Sequence, residues 1–544
     1  MVIIMAPTDN RHKFTRCNVA LMSLITASSS SALKAADTEV KPIVEARAYS
    51  LQTDDNQLSN ETEDAFAGYI KPSLGINLTG KNVSSALYIE NESVWFDDSE
   101  RKRNSLNEYD WRGAITGFDN RVNLGLNASS SHRVRDSRNG IFSDILSGAE
   151  NLSKTSVYGA ALNFQTSPTA DITARLGFSY NSINSDAPEK IDGFGDVDNG
   201  VFGTNLLLGS KERQRTLFWQ LTGSSSDVDR DTLSNFESRN LSAIAGLPLI
   251  PNLSLILRGS YYENSNGISY SNDFTSYGAG LEYQFGMASR VNITQNRSSK
   301  GVGLGQPDVK DDYLAAEIFL APTRRTSISY TLDRRYFGRS ADVSAQYRLK
   351  FLTVKLSVSE NVQTLTAFDQ VVQELGIFVC PNGAAGFGDC FRPPSSNYQL
   401  NTGESFLQLT NTDLELSEDL IKRRSALLSV GYSKNRLKLN MTLGKDEDQY
   451  VESTRLTERN TASLVSSWQL AKHAKLILNT RYYDIDYQNE DRQDTNLSFD
   501  FGLEHQLNAQ SDVSLMFKRI SRNSTVDSFD LQENRLWLGY KLRL

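Results

Sequence analysis

The chain has 544 residues, with 57 Lys and Arg against 65 Asp and Glu and a formal net charge of −8. That balance excludes a nucleic-acid-binding surface, which needs a basic face, and no apolar run reaches the roughly 18 residues of a membrane helix. Hydrophobic residues make up 39% and the mean hydropathy is −0.42. A soluble chain can have these averages, and so can a barrel in which every second strand residue meets lipid.

At the N-terminus, Arg11, Lys13 and Arg16 precede a short apolar stretch from Val19 to Ala27 and a small-residue run through Ala32, Ala35 and Ala36. This order predicts an export signal over residues 1–36, cleaved between Ala32 and Ala36. No Pro/Gly linker or shift in composition divides the remainder, so 37–544 is expected to be one unit. Cys17 lies in the signal, which leaves Cys380 and Cys390 as the remaining pair. Two close cysteines in an exported chain read as a disulfide. His132, His473 and His505 lie far from them in sequence, and neither a metal nor a cofactor is expected.

From about residue 43 onward the chain alternates. Ile172, Ala174, Leu176, Phe178 and Tyr180 alternate with Asp171, Thr173, Arg175, Gly177 and Ser179, and Leu253, Leu255 and Leu257 with Ser254, Ile256 and Arg258. Leu497, Phe499, Phe501 and Leu503 alternate with Ser498, Asp500, Gly502 and Glu504. Such period-2 segments predict strands with one apolar and one polar face. Tight connections are expected at Gly80-Lys81-Asn82, Asp119-Asn120, Pro168-Thr169, Pro251-Asn252, Pro322-Thr323 and Lys434-Asn435. Longer polar stretches lie between them, at 132–153, 182–199, 298–311 and 485–494. Short connections alternating with long ones are the asymmetry of outer-membrane barrels, whose periplasmic turns are short and external loops long. The expected fold is all-β: a single transmembrane antiparallel up-and-down β-barrel of about 24 strands in the outer membrane of a Gram-negative bacterium, both termini periplasmic.

Residues 364–422 interrupt this rhythm between the patterned segments 352–362 and 425–433. The insertion holds Cys380, Cys390 and Pro393-Pro394, and a connection this long is either functional or disordered. It reads as a stapled external loop or as a plug folded into the lumen. At the C-terminus Leu536, Leu538, Tyr540, Leu542 and Leu544 alternate to the last residue. That ending resembles the signal by which the barrel-assembly machinery receives a last strand.

Three stretches resemble one family. They are Arg335-Tyr336-Phe337-Gly338 with the alternating segments that follow it, Leu414 to Ser433 with its Lys422-Arg423-Arg424, and Glu533-Asn534-Arg535-Leu536 leading into the last segment. They are similar to the outer-membrane proteins associated with PEP-CTERM/exosortase systems, a porin-like barrel family linked to exopolysaccharide export. The resemblance runs along the chain after its signal and implies a setting beside polysaccharide synthesis and export. It also implies partners: outer-membrane lipid and lipopolysaccharide, periplasmic export proteins and a polysaccharide.

No phosphate loop, GxSxG, HExxH or zinc spacing occurs, so no enzyme is expected. Asp227, Asp229 and Asp231 lack the later ligands of a calcium loop and read as a solvated tip. The informative polar residues are those that parity turns inward. They are Glu108, Asp110 and Arg112 in segment 107–117, Arg175 and Arg258 in the segments around Leu176 and Leu257, Arg325 and Asp333 in 325–333, and Asp342 and Arg348 in 342–350. Arg481 and Tyr483 follow in 475–483, then Arg535 and Trp537 in 535–543. Charges of both signs with aromatic faces either brace a wet lumen or form a track for a hydrated polymer. The expected function is a conduit for polysaccharide export, with a general small-solute porin and a non-conducting surface anchor as alternatives.

Overall fold

The computed structural model describes residues 37–544 except 56–62, 98–102, 135–137, 139, 168, 189–195, 211–216, 232–233, 266–270, 287, 302–307, 336, 365–376, 382–403, 409–419 and 451–454. The expected export signal and Cys390 lie outside the described residues.

The barrel begins with β1 (Asp37–Asp55), β2 (Glu63–Thr79), β3 (Val83–Phe96), β4 (Asn104–Gly117), β5 (Val122–Val134), β6 (Leu152–Gln165), β7 (Ile172–Ser185) and β8 (Val197–Ser210). It continues through β9 (Phe218–Asp229), β10 (Phe236–Ile250), β11 (Leu253–Ser265), β12 (Ser271–Phe285), β13 (Ser289–Lys300), β14 (Val309–Thr323), β15 (Thr326–Arg335), β16 (Gly338–Arg348) and β17 (Leu352–Thr364). A separate hairpin follows, β18 (Ile377–Pro381) with β19 (Glu404–Gln408). The barrel resumes with β20 (Leu420–Lys434), β21 (Leu437–Tyr450), β22 (Leu456–Ala471), β23 (Ala474–Tyr487), β24 (Arg492–Gln506), β25 (Ser511–Ser524) and β26 (Leu531–Arg543). These 24 barrel strands form one sheet. Each pairs antiparallel with the next, β17 pairs with β20, and β26 pairs with β1 from Ile43↔Arg543 to Asp55↔Leu531. The sheet is therefore closed and leaves no edge. Among the described residues there is no α-helix.

Tight turns fall where the sequence puts asparagine or aspartate, with Phe118 drawn into the same region beside Asp119. Asn252 (φ 74°) joins β10 to β11, Asn435 (φ 48°) joins β20 to β21, and Phe118, Asp119 and Asn120 (φ 51°, 55° and 62°) join β4 to β5. Asparagine and aspartate enter this region at low cost, and such turns match the twist of a hairpin. Other expectations need correction. Pro322 and Thr323 end β14, and the turn is Arg324–Arg325. The polar stretch 485–494 is mostly strand, which leaves 488–491 as the connection. β15 ends at Arg335 and β16 begins at Gly338, at what should be the long-loop end. Asp227 and Asp229 close β9 rather than sitting at a loop tip.

The strands run longer than the alternation suggests. Segment 475–483 is part of the 14-residue β23, and segment 535–543 part of the 13-residue β26. An apolar band needs only the middle of a tilted strand. Beyond it the outward residues turn polar and the alternation fades, while the backbone pairing goes on. Within the band the two faces are distinct. Leu255 and Leu257 point outward, Leu257 being 55% exposed, around Ile256 at 0%. Leu536, Leu538 and Tyr540 point outward beside inward Arg535 and Trp537.

Candidate functional site: an inward loop and two unlike walls

The connection from β5 to β6 folds back into the barrel. Its sequence, Gly140 to Asn151, carries Ile141, Phe142, Ile145 and Leu146, too apolar for a tip in water. Ile145 and Leu146 are buried against inward Tyr49 and Leu51 of β1, Ala67 and Tyr69 of β2 and Val94 of β3, with Leu106 and Trp537 beside them. Burying each contributes about 1.5–3 kcal/mol. Ile141 and Phe142 pack on Tyr483, Ile485 and Tyr487 of β23, and the Phe142 and Tyr483 rings lie 5.8 Å apart.

The loop is braced from within. Asp144 Oδ1 accepts the backbone N–H groups of Leu146 (3.0 Å) and Ser147 (3.1 Å). Asn151 Nδ2 donates to Ser143 Oγ (3.1 Å) and to the Gly140 carbonyl (3.3 Å). Gly148, at φ 75°, supplies a reversal that a side chain would resist.

The wall holds the loop through charge. Arg535 donates to Asp144 Oδ2 (2.5 Å) and Oδ1 (3.1 Å) and to Ser147 Oγ (2.5 Å). It also pairs with Glu533 on its own strand, and both are almost fully buried, at 2% and 0% exposure. Lys518 Nζ stands 3.9 Å from Asp144. Burial pushes the Asp144 carboxyl up, but the Arg535 and Lys518 charges and the donated hydrogen bonds outweigh it and hold the carboxyl below its ordinary range. Farther along, Arg492 Nη2 donates to the Arg138 carbonyl (2.7 Å), and Arg138 pairs with Glu490 (3.0 Å).

The loop covers an arc of wall from β23 through β26 to β4, and that arc is dense in paired charge. Lys71 bridges Glu90 and Glu92 at 2.7 and 2.8 Å, and Lys475 meets Glu504 at 2.7 Å. The arc β6–β10 is different. Its inward positions, fixed by register, carry hydroxyl, amide, glycine and apolar side chains, and Arg175 is the one ionisable group there among the described residues. Asn163, Arg175, Asn205, Gln220, Ser224 and Asn240 are exposed to the interior.

The residues expected to face inward scatter around the barrel. Arg535, Trp537 and Tyr483 are the ones gathered, all beneath the β5–β6 loop. Arg258 pairs with Asp333 at 2.7 Å, and Tyr313 donates to the same carboxylate at 3.1 Å. Asp342 pairs with Arg335 (2.7 Å), Glu108 accepts from the His132 backbone N–H (2.7 Å), and Asp110 pairs with its strand neighbour Arg112 (3.0 Å). Arg175 and Arg481 are exposed, and so is Arg348 at the end of β16. Arg325 departs from expectation. It lies in the β14–β15 turn, where its N–H meets Thr323 Oγ1 (3.2 Å) and its carbonyl accepts from Arg348 (2.7 Å). Local turn chemistry captured it before strand parity could apply. The loop that narrows the interior was expected to be external, and its apolar quartet is the signal that would have found it.

No protein-family model and no curated protein matches the chain. Among solved structures it is similar to the siderophore receptor PirA from Acinetobacter baumannii at 10% identity, covering 93% of this chain and 80% of that one, with a TM-score of 0.43. It is also similar to the FrpB iron transporter from Neisseria meningitidis (9% identity, 95% and 83% covered, TM-score 0.42). A third is OpdO from Pseudomonas aeruginosa (12% identity, 93% and 98% covered, TM-score 0.29). Likeness this slight carries no function across.

Proposed function

We propose that the chain spans an outer membrane and passes hydrated solutes through a lumen narrowed by the β5–β6 loop. The observation that carries this reading is the division of faces. Leucine, phenylalanine and tyrosine side chains stand exposed around the outside, where water would oppose them and lipid would not. Inward Asn163, Arg175, Asn205, Gln220, Ser224 and Asn240 of β6–β10 stand exposed in an interior that the loop does not fill. A sheet closed by β1 and β26 satisfies its backbone without an edge, which a hydrocarbon environment requires. Barrels of this strand number are wide enough for a channel or a plugged lumen. The direct test is the current through single molecules in planar bilayers, together with sedimentation of the native protein with outer membranes. Recovery as a soluble protein overturns the reading, and insertion without current leaves a non-conducting anchor.

The finer setting we propose is export of extracellular polysaccharide, with an export signal over residues 1–36. Support for it is the resemblance carried by Arg335 to Gly338, Leu414 to Ser433 and Glu533 to Leu536. Periplasmic export proteins would deliver the polymer, and outer-membrane lipid and lipopolysaccharide would surround the barrel. Deletion of the gene should abolish surface polysaccharide and leave intracellular synthesis intact. Unchanged surface polysaccharide would favour a general small-solute porin.

A further inference from the structure

Two walls that merely solvated the same water would not need opposite chemistry. The arc under the loop uses paired charges, whereas β6–β10 uses one ionisable side chain among the described inward positions of five adjacent strands. We propose that the inner face of β6–β10 is a binding wall for uncharged, hydroxyl-rich chains, that is, neutral carbohydrate. The proposal deepens the reading of the lumen as a hydrated passage and rests on it.

The wall has the right donors and acceptors. A sugar hydroxyl both gives and takes a hydrogen bond. Asparagine, glutamine, serine and threonine do the same, whereas a carboxylate only accepts and an ammonium only donates. A neutral ligand also needs no counter-charge when it sheds water.

Those groups are in register. Asn163 pairs with Gly177, Gly177 with Asn205, Asn205 with Ser224 and Ser224 with Asn240, one partner on each strand from β6 to β10. The amides therefore lie on alternate strands, whose backbones run about 9.6 Å apart. Gly177 has no side chain to hold two of them apart: a Cβ there would stand 2.5 Å from Asn205 Oδ1 and 2.9 Å from Asn163 Oδ1, so both amides lean over it. Asn240 Nδ2 donates to Ser224 Oγ at 2.6 Å, which orients that amide. A chain crossing this row exchanges one set of neutral hydrogen bonds for an equivalent one, so it is held without being trapped.

The test uses the full-length protein in detergent, titrated calorimetrically with maltohexaose and with an oligogalacturonate of the same length. Maltohexaose should bind more tightly than the acidic oligomer. The combined variant Asn163→Asp, Asn205→Asp and Asn240→Asp should weaken maltohexaose by about tenfold or more and keep the heat-dependent gel mobility of a folded barrel. Unchanged maltohexaose affinity in that variant, or a wild-type preference for the acidic oligomer, overturns the assignment. In planar bilayers maltohexaose should interrupt the wild-type current and spare that of the variant. Current without carbohydrate binding would overturn the wall and leave the passage. Binding without current would overturn the passage and leave the wall.

Discussion

Asp144 and Arg535 lie 391 positions apart and meet inside the barrel in a two-pronged ion pair, at 2.5 and 3.1 Å. One is on the β5–β6 loop and the other on the last strand, so a single contact fastens the constriction to the seam where the sheet closes.

That contact should control how far the lumen is narrowed. Asp144→Asn keeps the oxygen that accepts from Leu146 and Ser147 and removes the charge that faces Arg535. The loss of charge-assisted hydrogen bonding should cost about 1–3 kcal/mol and raise the undocked fraction of the loop roughly five- to hundredfold. Single-channel current should become larger or noisier. A variant whose current matches wild type would show that the apolar anchors Ile145 and Leu146 hold the loop unaided.

The same contact sets a pH dependence. The Asp144 carboxyl is held below its ordinary value in the folded protein. Its contribution to docking is therefore complete above the unfolded value of about 3.9 and falls as the pH drops through the lower folded value. Conductance should be flat near neutrality and rise below about pH 4, and Asp144→Asn should abolish the rise. A transition near neutrality would point to a different group.

Strand parity is testable by placing one charge on either face. Leu257→Arg sets a guanidinium on the exposed outer face and should cost roughly 2–4 kcal/mol if it lies near the bilayer midplane. Asn205→Arg, on the inward exposed wall, should cost little. Urea titration of the barrel in liposomes separates them, and equal losses would refute the assignment of faces.

Packing inside the wall offers a further measurement. Phe218 is 1% exposed and lies across Gly246, its cross-strand partner, where a Cβ would stand 2.0 Å from the ring. Gly246→Val should force the ring aside and destabilise the barrel by about 1–3 kcal/mol. Pairing Gly246→Val with Phe218→Leu should recover part of that loss. No loss in the single variant would mean that the ring has room to move.

The closed barrel and its strand number of 24 were legible because alternation is enforced wherever one face is apolar. Segments such as Leu253 to Leu257 could not be placed otherwise. Strand ends were less legible, since Ile485 to Tyr487 and Arg492 to Asp494 continue pairing where the outer face has turned polar. The constriction was hidden by its position. Residues 140–151 follow the rhythm of an external loop, and only contact with Tyr49, Tyr69 and Tyr483, far away in sequence, gives Ile145 and Phe142 an environment. Arg325 was misplaced because a turn two residues long leaves no alternation to read. The insertion that read as a stapled external loop or a plug gives Thr364 to β17 and Leu420 to β20, and between them the hairpin β18–β19 is described, in which Cys380 pairs through its backbone with Ser405.

The pairing of β1 with β26 has a consequence for how the molecule comes into being. Thirteen residue pairs join the first strand to the last, so neither finds its partner until nearly all the chain is present. Until then the growing sheet carries two exposed rows of backbone donors and acceptors, each as ready to pair with a neighbouring molecule as with the other. Yield should therefore fall with crowding of unfinished chains and improve with dilution. The Leu544 N–H also reaches the Pro42 carbonyl at 3.0 Å, so a short linker could join the two strands and the chain could be cut instead within 382–403. In that rearranged gene the seam would be made as an ordinary hairpin midway along the chain, and the last closure would pass to β17 and β20.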